Sequence, residues 1–92
     1  MGNNYTHDDF IEQSKERVAQ WTNENTEIGS GELTAEDVYV VWSCKVLQNS
    51  KALLATNNPD GMYFETTMNG NNGEIYFDAY QKVENIKLDC SK

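Results

Sequence analysis

Apolar and polar residues alternate in four short runs along the second half of the 92-residue chain. Such alternation is typical of strands buried on one face, because successive side chains point to opposite sides of a sheet. The segments between the runs are rich in Asn, Gly, Ser and Pro, which favour turns. The pattern predicts an antiparallel β-meander with strands at 38–47, 51–56, 61–68 and 74–80 and turns at 48–50, 57–61 and 69–73.

The alternation also predicts which side of each strand faces the core. In the first strand the all-apolar set should point inward, namely Val38, Val40, Trp42, Cys44 and Val46. In the third and fourth strands the inward set is Met62, Phe64, Met68, Ile75, Phe77 and Ala79. Because side chains alternate strictly along a strand, Tyr63, Tyr76 and Tyr80 should lie on the opposite face.

The first segment of the chain has the spacing of an amphipathic helix, predicted over residues 6–22. Phe10, Ser14, Val18 and Trp21 recur at helical intervals, and Thr6 or Asp8 can cap the start. The polar residues that follow predict an acidic loop with a short helical turn over 23–37.

The predicted fold is a single α+β domain over residues 1–92. An N-terminal amphipathic helix packs on one face of a four- or five-stranded antiparallel β-meander, which occupies residues 38–90. The count stays open because Val83, Ile86 and Leu88 fit a fifth strand or a short helix equally well.

Charge is concentrated in the first half of the chain. The net charge is −8, and residues 1–44 contain nine of the 15 acidic residues with only two basic ones. Such a surface repels nucleic acid, whereas it can meet a basic protein surface. The acidic stretch is the first candidate partner-binding site and consists of Glu24, Glu27, Glu32, Glu36 and Asp37. The alternative is that this charge serves solubility alone.

The outward face of the predicted sheet is the second candidate site. It should present Tyr39, Tyr63, Glu65, Tyr76, Asp78 and Tyr80. Aromatic rings can stack on bases, and carboxylates can accept hydrogen bonds from base amines or ribose hydroxyls. The alternative is that tyrosine simply suits half-exposed strands.

Signs of catalysis, metal binding or membrane insertion are weak. Glu65 and Asp78 could act as an acid–base pair, but such pairs arise often in an acidic chain, and no catalytic motif accompanies them. One histidine and two cysteines without zinc spacing predict no metal, and we expect no cofactor. We expect a soluble, intracellular, non-enzymatic protein. Cys44 and Cys90 should be free thiols, with Cys44 on the apolar side of its strand, and the alternative is one bridge between them.

Several segments resemble a family of short, uncharacterised proteins from phages and prophages of Gram-positive bacteria. The most specific is the run Val-Val-Trp-Ser-Cys-Lys-Val-Leu-Gln-Asn at residues 40–49. Further similarity lies in 51–54, 60–67 and 74–82, within an overall match of roughly 8–88. The chain departs from the family at Ser50 and Met68, where other members often carry an aromatic residue.

The resemblance implies a viral protein that acts in the host cytoplasm. Small acidic phage proteins without catalytic motifs are often inhibitors of host defence, so we expect the protein to bind and occlude a basic host protein. A second hypothesis is sequestration of a nucleotide immune signal on the tyrosine-bearing face, as a homo-oligomer. A third is an accessory role in phage replication or regulation.

Overall fold

One long helix lies across one side of a four-stranded antiparallel sheet in the computed structural model. The structure describes residues 5–25, 32–57, 61–84 and 86–90. Its elements are α1 (His7–Asn25), a 3₁₀ turn (Ala35–Asp37), β1 (Val38–Val46), β2 (Asn49–Thr56), β3 (Met62–Asn69) and β4 (Glu74–Gln81). The strands are neighbours in chain order, β1-β2-β3-β4, so the α+β prediction is confirmed.

Helix α1 begins with a reciprocal cap. The backbone N–H of Thr6 donates to Asp9 Oδ2 at 2.9 Å, and the N–H of Asp9 donates to Thr6 Oγ1 at 3.1 Å. These bonds satisfy backbone donors that have no partner within the helix. The buried side of the helix consists of Phe10, Ser14, Val18, Ala19 and Thr22.

The core lies between α1 and the sheet and centres on Phe64, which is 1% exposed. Trp21 of α1 meets the Phe64 ring edge-on at 5.5 Å between centroids, and Phe77 of β4 stacks on it at 5.8 Å. Leu54 of β2 pairs with Phe64 and is fully buried. The prediction that Phe64 and Phe77 lie beneath the helix is confirmed.

A β-bulge in β1 overturns the prediction for Trp42. Val40 pairs with Leu54, but Trp42 pairs with Leu53, so one extra residue is inserted between them. Because side chains alternate, one added residue transfers every later side chain to the other face. Trp42 is therefore 43% exposed on the side away from α1, and Cys44 is an exposed free thiol rather than a buried one.

The first hairpin turn also differs from the prediction. Leu47 and Gln48 form a two-residue turn, and β2 already begins at Asn49, whereas the turn was expected at 48–50. Leu47 adopts a positive φ of 57°, which is unusual for a branched side chain. Gly70 of the neighbouring hairpin approaches closely, since a Cβ there would lie 2.0 Å from the Gln48 carbonyl oxygen. The β1–β2 turn and the β3–β4 turn are therefore in close contact at Gln48 and Gly70.

The residues described after β4 form neither the fifth strand nor the helix considered for them. Lys82 N–H still donates to Gly61 O at 2.7 Å, and the described residues 82–84 and 86–90 then have no regular structure. None of the described helices combines the length and the apolar character that spanning a bilayer requires.

Candidate binding surface on the open sheet face

The side of the sheet opposite α1 is not covered by any other described element. The strand register places Trp42, Leu53, Glu65 and Asp78 in one row across all four strands of this side. A second row pairs Tyr63 with Tyr80, and a third pairs Thr67 with Tyr76. We call this surface the open face and define it by Tyr39, Trp42, Leu53, Tyr63, Glu65, Thr67, Tyr76, Asp78 and Tyr80.

The open face gathers all six residues of the second candidate site, because five lie at alternate positions on the regular strands β3 and β4 and Tyr39 precedes the bulge in β1. It also contains Trp42, which sequence reasoning assigned to the core. The bulge that exposes this ring has no marker in the sequence, since Val40, Val41 and Trp42 all suit a regular strand. The resulting surface is more aromatic than the sequence predicted.

Two carboxylates oppose each other at the centre of the open face. Glu65 and Asp78 are cross-strand partners on β3 and β4, where like charges repel. Lys51 relieves part of this repulsion through an ion pair with Glu65, at 3.4 Å between Nζ and Oε2. Lys82 sits over the Tyr63 ring at 5.8 Å. Asp78 has no ion pair among the described residues, so the face retains negative charge.

Nearby carboxylates raise the pKa of both tyrosines on β4. The charge of Asp78 raises the pKa of the Tyr80 hydroxyl, with smaller contributions from burial and from Glu65. The Tyr76 hydroxyl donates to Glu74 Oε1 at 2.9 Å, and this hydrogen bond and the Glu74 charge raise the pKa of Tyr76. Both hydroxyls therefore hold their protons more tightly than an unperturbed tyrosine does.

The described residues of the acidic stretch differ in their positions and contacts. Glu24 and Glu32 line one shallow depression beside the end of α1, with a volume of about 350 Å³. Asp37 Oδ2 accepts from Thr34 N–H at 2.8 Å, so that carboxylate caps the 3₁₀ turn. Glu36 is exposed, and Glu27 lies outside the described residues. The spacing of Thr34 and Asp37 in the sequence already resembles a capping box, and the structure confirms it.

The N-terminus of α1 is tied to the sheet by His7, a residue to which the sequence pattern assigned no contact. His7 Nδ1 lies 3.0 Å from Ser50 Oγ, and its Nε2 lies 3.3 Å from Ser43 Oγ. Ser43 reaches the helix side only because the bulge moved it there. His7 therefore fixes α1 over the first hairpin.

Two adjacent cavities lie on the helix side, between α1 and β4. Their volumes are about 310 and 370 Å³, and both are lined by Gln13 and Ile75. Arg17 contributes a cation at 5.4 Å from the Phe77 ring centroid. Among the residues that the structure describes, no three His, Cys, Asp or Glu side chains could hold a metal ion together.

Comparison with known proteins identifies the family but assigns no activity. No curated protein and no solved structure matches the chain. A family model described as a family of unknown function, DUF6275, matches residues 11–90, which include most of α1 and the whole sheet. The chain therefore belongs to the DUF6275 family.

Proposed function

We propose that this protein is a non-enzymatic binding protein whose open face occludes a basic surface on a partner protein. The observation that carries the proposal is the cluster of exposed aromatic rings on one uncovered face. Tyr39, Trp42, Tyr76 and Tyr80 are each between 43% and 56% exposed. Aromatic residues of this kind are enriched where proteins bind one another, because each buries a large apolar area and still offers a polar group.

The shape of the open face favours a protein over a small molecule. Four strands spaced about 4.8 Å apart, each about eight residues long, present a projected area of roughly 500 Å². A small protein–protein interface buries about 600 Å² of accessible surface on each partner. The accessible surface of the open face exceeds its projected area, because its side chains protrude from the sheet. The cavities of 310 and 370 Å³ described above lie on the other side of the sheet.

The charge of the face defines the chemistry of the partner. Glu65 and Asp78 would be buried beneath a bound protein, and buried carboxylates need cationic partners. An Arg or Lys on the partner would satisfy Asp78, which has no ion pair in the described part of the chain. The exposed acids Glu24, Glu32 and Glu36 add a wider negative field that speeds the encounter with a basic surface.

The biological setting of the proposal comes from the sequence resemblance. Similarity to phage and prophage proteins of Gram-positive bacteria makes a host protein the natural partner. We therefore extend the proposal to inhibition of an antiphage defence protein in the host cytoplasm, at a site that normally binds nucleic acid or nucleotide. Many such sites are basic, which suits the acidic open face.

The proposal is tested by capture from host lysate followed by measured affinities. The full chain is immobilised, its partner is identified, and binding is then measured with purified components. Trp42→Ala and Tyr80→Ala should each weaken binding by about tenfold or more, as expected for central aromatic contacts. Tyr5→Ala is the matched control, because Tyr5 is an exposed tyrosine that lines a cavity on the helix side. If both open-face variants bind like wild type, the open face is not the contact surface.

Two further measurements separate the proposal from its alternatives. Reversal of Glu24, Glu32 and Glu36 to Lys should slow association and reduce its salt dependence while leaving dissociation largely unchanged. Calorimetric titration with a panel of linear and cyclic nucleotides should give no heat of binding. Stoichiometric uptake of any of them would replace occlusion with sequestration of a nucleotide signal.

A further inference from the structure

The last described segment of the chain exposes its apolar side chains. Val83 is 95% exposed, Ile86 is 64% exposed and Leu88 is 83% exposed. Apolar side chains this exposed are usually covered by a partner when they occur together. Ile86 and Leu88 are two residues apart, so in an extended chain both point to the same side. We call residues 82–84 and 86–90 the C-terminal arm.

A complementary surface lies between α1 and β4. Helix α1 packs over β1, β2 and β3, which leaves the inner side of β4 partly uncovered. The floor of this α1–β4 groove is formed by Met68, Ile75 and Phe77, which are partly buried, and its wall by Gln13, Arg17 and Gln20. Ile75 and Phe77 are also two residues apart on one strand. Their spacing therefore matches that of Ile86 and Leu88.

The backbone of β4 offers a place for the arm. β4 is the last strand of the sheet, so its outer edge has no neighbouring strand among the described residues. Extended segments add readily to such edges through main-chain hydrogen bonds. β4 contains eight residues, and the chain from 83 to 90 contains the same number. The other sheet edge, β1, is covered by α1, and beyond its bulge the inner side presents the polar Ser43 and Lys45.

The geometry points to a second copy of the chain as the source of the arm. Lys82 N–H still pairs with Gly61 O, so the chain leaves β4 in the direction of that strand. A return onto its own edge needs a tight reversal, which would have to use Glu84 and Asn85 and would leave only residues 86–90 to pair with β4. Reaching a neighbouring copy needs no reversal, and exchange of an identical segment is a common route to dimers.

Charge favours the same arrangement. Two chains of net charge −8 repel each other, but the arm balances Lys82 and Lys87 against Glu84 and Asp89. With Ile86 and Leu88 turned toward the groove, Lys87 lies on the open-face side of the sheet, next to the β4 side chains. It would supply a cation to Asp78 there. Dimerisation through two open faces would instead bring two Glu65–Asp78 pairs together.

We propose that the protein forms a two-fold dimer in which each C-terminal arm adds as a fifth strand to β4 of the other copy. Ile86 and Leu88 of one copy cover Ile75 and Phe77 of the other and close the α1–β4 groove. The fifth strand that the sequence suggests is thus supplied between copies, and both open faces remain available for a partner.

Sedimentation equilibrium of the full chain tests the proposal. The wild type should sediment at twice the chain mass of 10.5 kDa. Ile86→Lys with Leu88→Lys should give a folded monomer, because both side chains are exposed within a single copy. Val46→Lys with Leu47→Lys is the matched control, since it places the same charges on exposed apolar residues outside the arm, and it should remain dimeric.

Amide hydrogen exchange identifies the surface that is used. In the dimer, the β4 amides that point away from β3 should be protected, and the arm variant should lose this protection. A monomeric wild type overturns the proposal, including one with a protected β4 edge, which would indicate an arm folded back within one copy. A dimer that survives the arm substitutions overturns it as well.

Discussion

Trp42 lies opposite Leu53 of β2, on the side of the sheet that α1 does not cover. Val40, only two residues earlier, lies opposite Leu54 on the covered side. Because of the bulge between them, the two halves of β1 direct their apolar side chains to opposite faces of the sheet. The first half closes the core through Val38 and Val40, and the second half contributes an exposed indole to the open face.

The two large aromatic residues Trp42 and Phe64 should therefore differ sharply in their effect on stability. Phe64→Ala removes a buried ring that contacts both Trp21 and Phe77, and it should lower the free energy of unfolding by about 3–5 kcal/mol. Trp42→Ala removes a half-exposed ring and should cost only about 1 kcal/mol. Urea denaturation measures both values, and equal losses would show that Trp42 belongs to the core after all.

The buried hydroxyl pair between α1 and β3 should behave as one unit. Ser14 Oγ and Thr66 Oγ1 lie 2.8 Å apart in the core. Ser14→Ala or Thr66→Val alone leaves the other hydroxyl without its partner, which should cost about 1–3 kcal/mol. The double variant should be less destabilised than the sum of the two, with a coupling energy of about 1 kcal/mol in a double-mutant cycle. Simple additivity would mean that the two hydroxyls do not interact.

Replacing Leu47 in the first hairpin turn should stabilise the protein. Its φ of 57° places a branched side chain in the left-handed region, where asparagine is better tolerated. Leu47→Asn should therefore raise the free energy of unfolding by about 0.5–1 kcal/mol. Val46→Asn is the control, because Val46 lies next to Leu47 in a regular strand and should gain nothing. Equal effects of the two variants would argue against backbone strain at Leu47.

The titration of Tyr80 should depend on Asp78. The carboxylate raises the pKa of the Tyr80 hydroxyl, so Asp78→Asn should move that pKa back toward its ordinary value. Glu74→Gln is the control, because it should lower the pKa of Tyr76 instead. NMR spectra of ring-labelled tyrosine recorded against pH resolve the two residues. A Tyr80 curve unchanged by Asp78→Asn would show that the Asp78 charge does not act on the Tyr80 hydroxyl.

The raised tyrosine pKa values also fix the direction of a pH effect. A group whose pKa is higher in the folded than in the unfolded state binds its proton more tightly when folded. The stabilisation from each raised tyrosine pKa is fully present below the ordinary pKa of tyrosine. It is lost as the pH rises through the pKa of that tyrosine in the folded protein. Alkaline destabilisation should therefore be smaller in Asp78→Asn than in wild type, as measured by thermal unfolding at several pH values.

The amino-acid sequence by itself determined the elements and most of their faces. The spacing of Phe10, Ser14 and Val18 defined the buried side of α1, since a helix repeats every 3.6 residues. Strict alternation placed Phe64 and Phe77 beneath the helix and the tyrosines of β3 and β4 on the other side, because these strands are regular. The acidic character of the chain followed from composition alone.

The tertiary structure decided the features that depend on contacts between distant residues. The bulge before Trp42 and the turn at Leu47 depend on how β1 aligns with β2, and the third hairpin, between β3 and β4, packs against that turn where Gly70 meets Gln48. Neither feature changes the local pattern of apolar residues, so periodicity does not reveal them. The exposed C-terminal arm has the same origin: its alternation fits a strand, but a strand forms only where a partner edge supplies its hydrogen bonds.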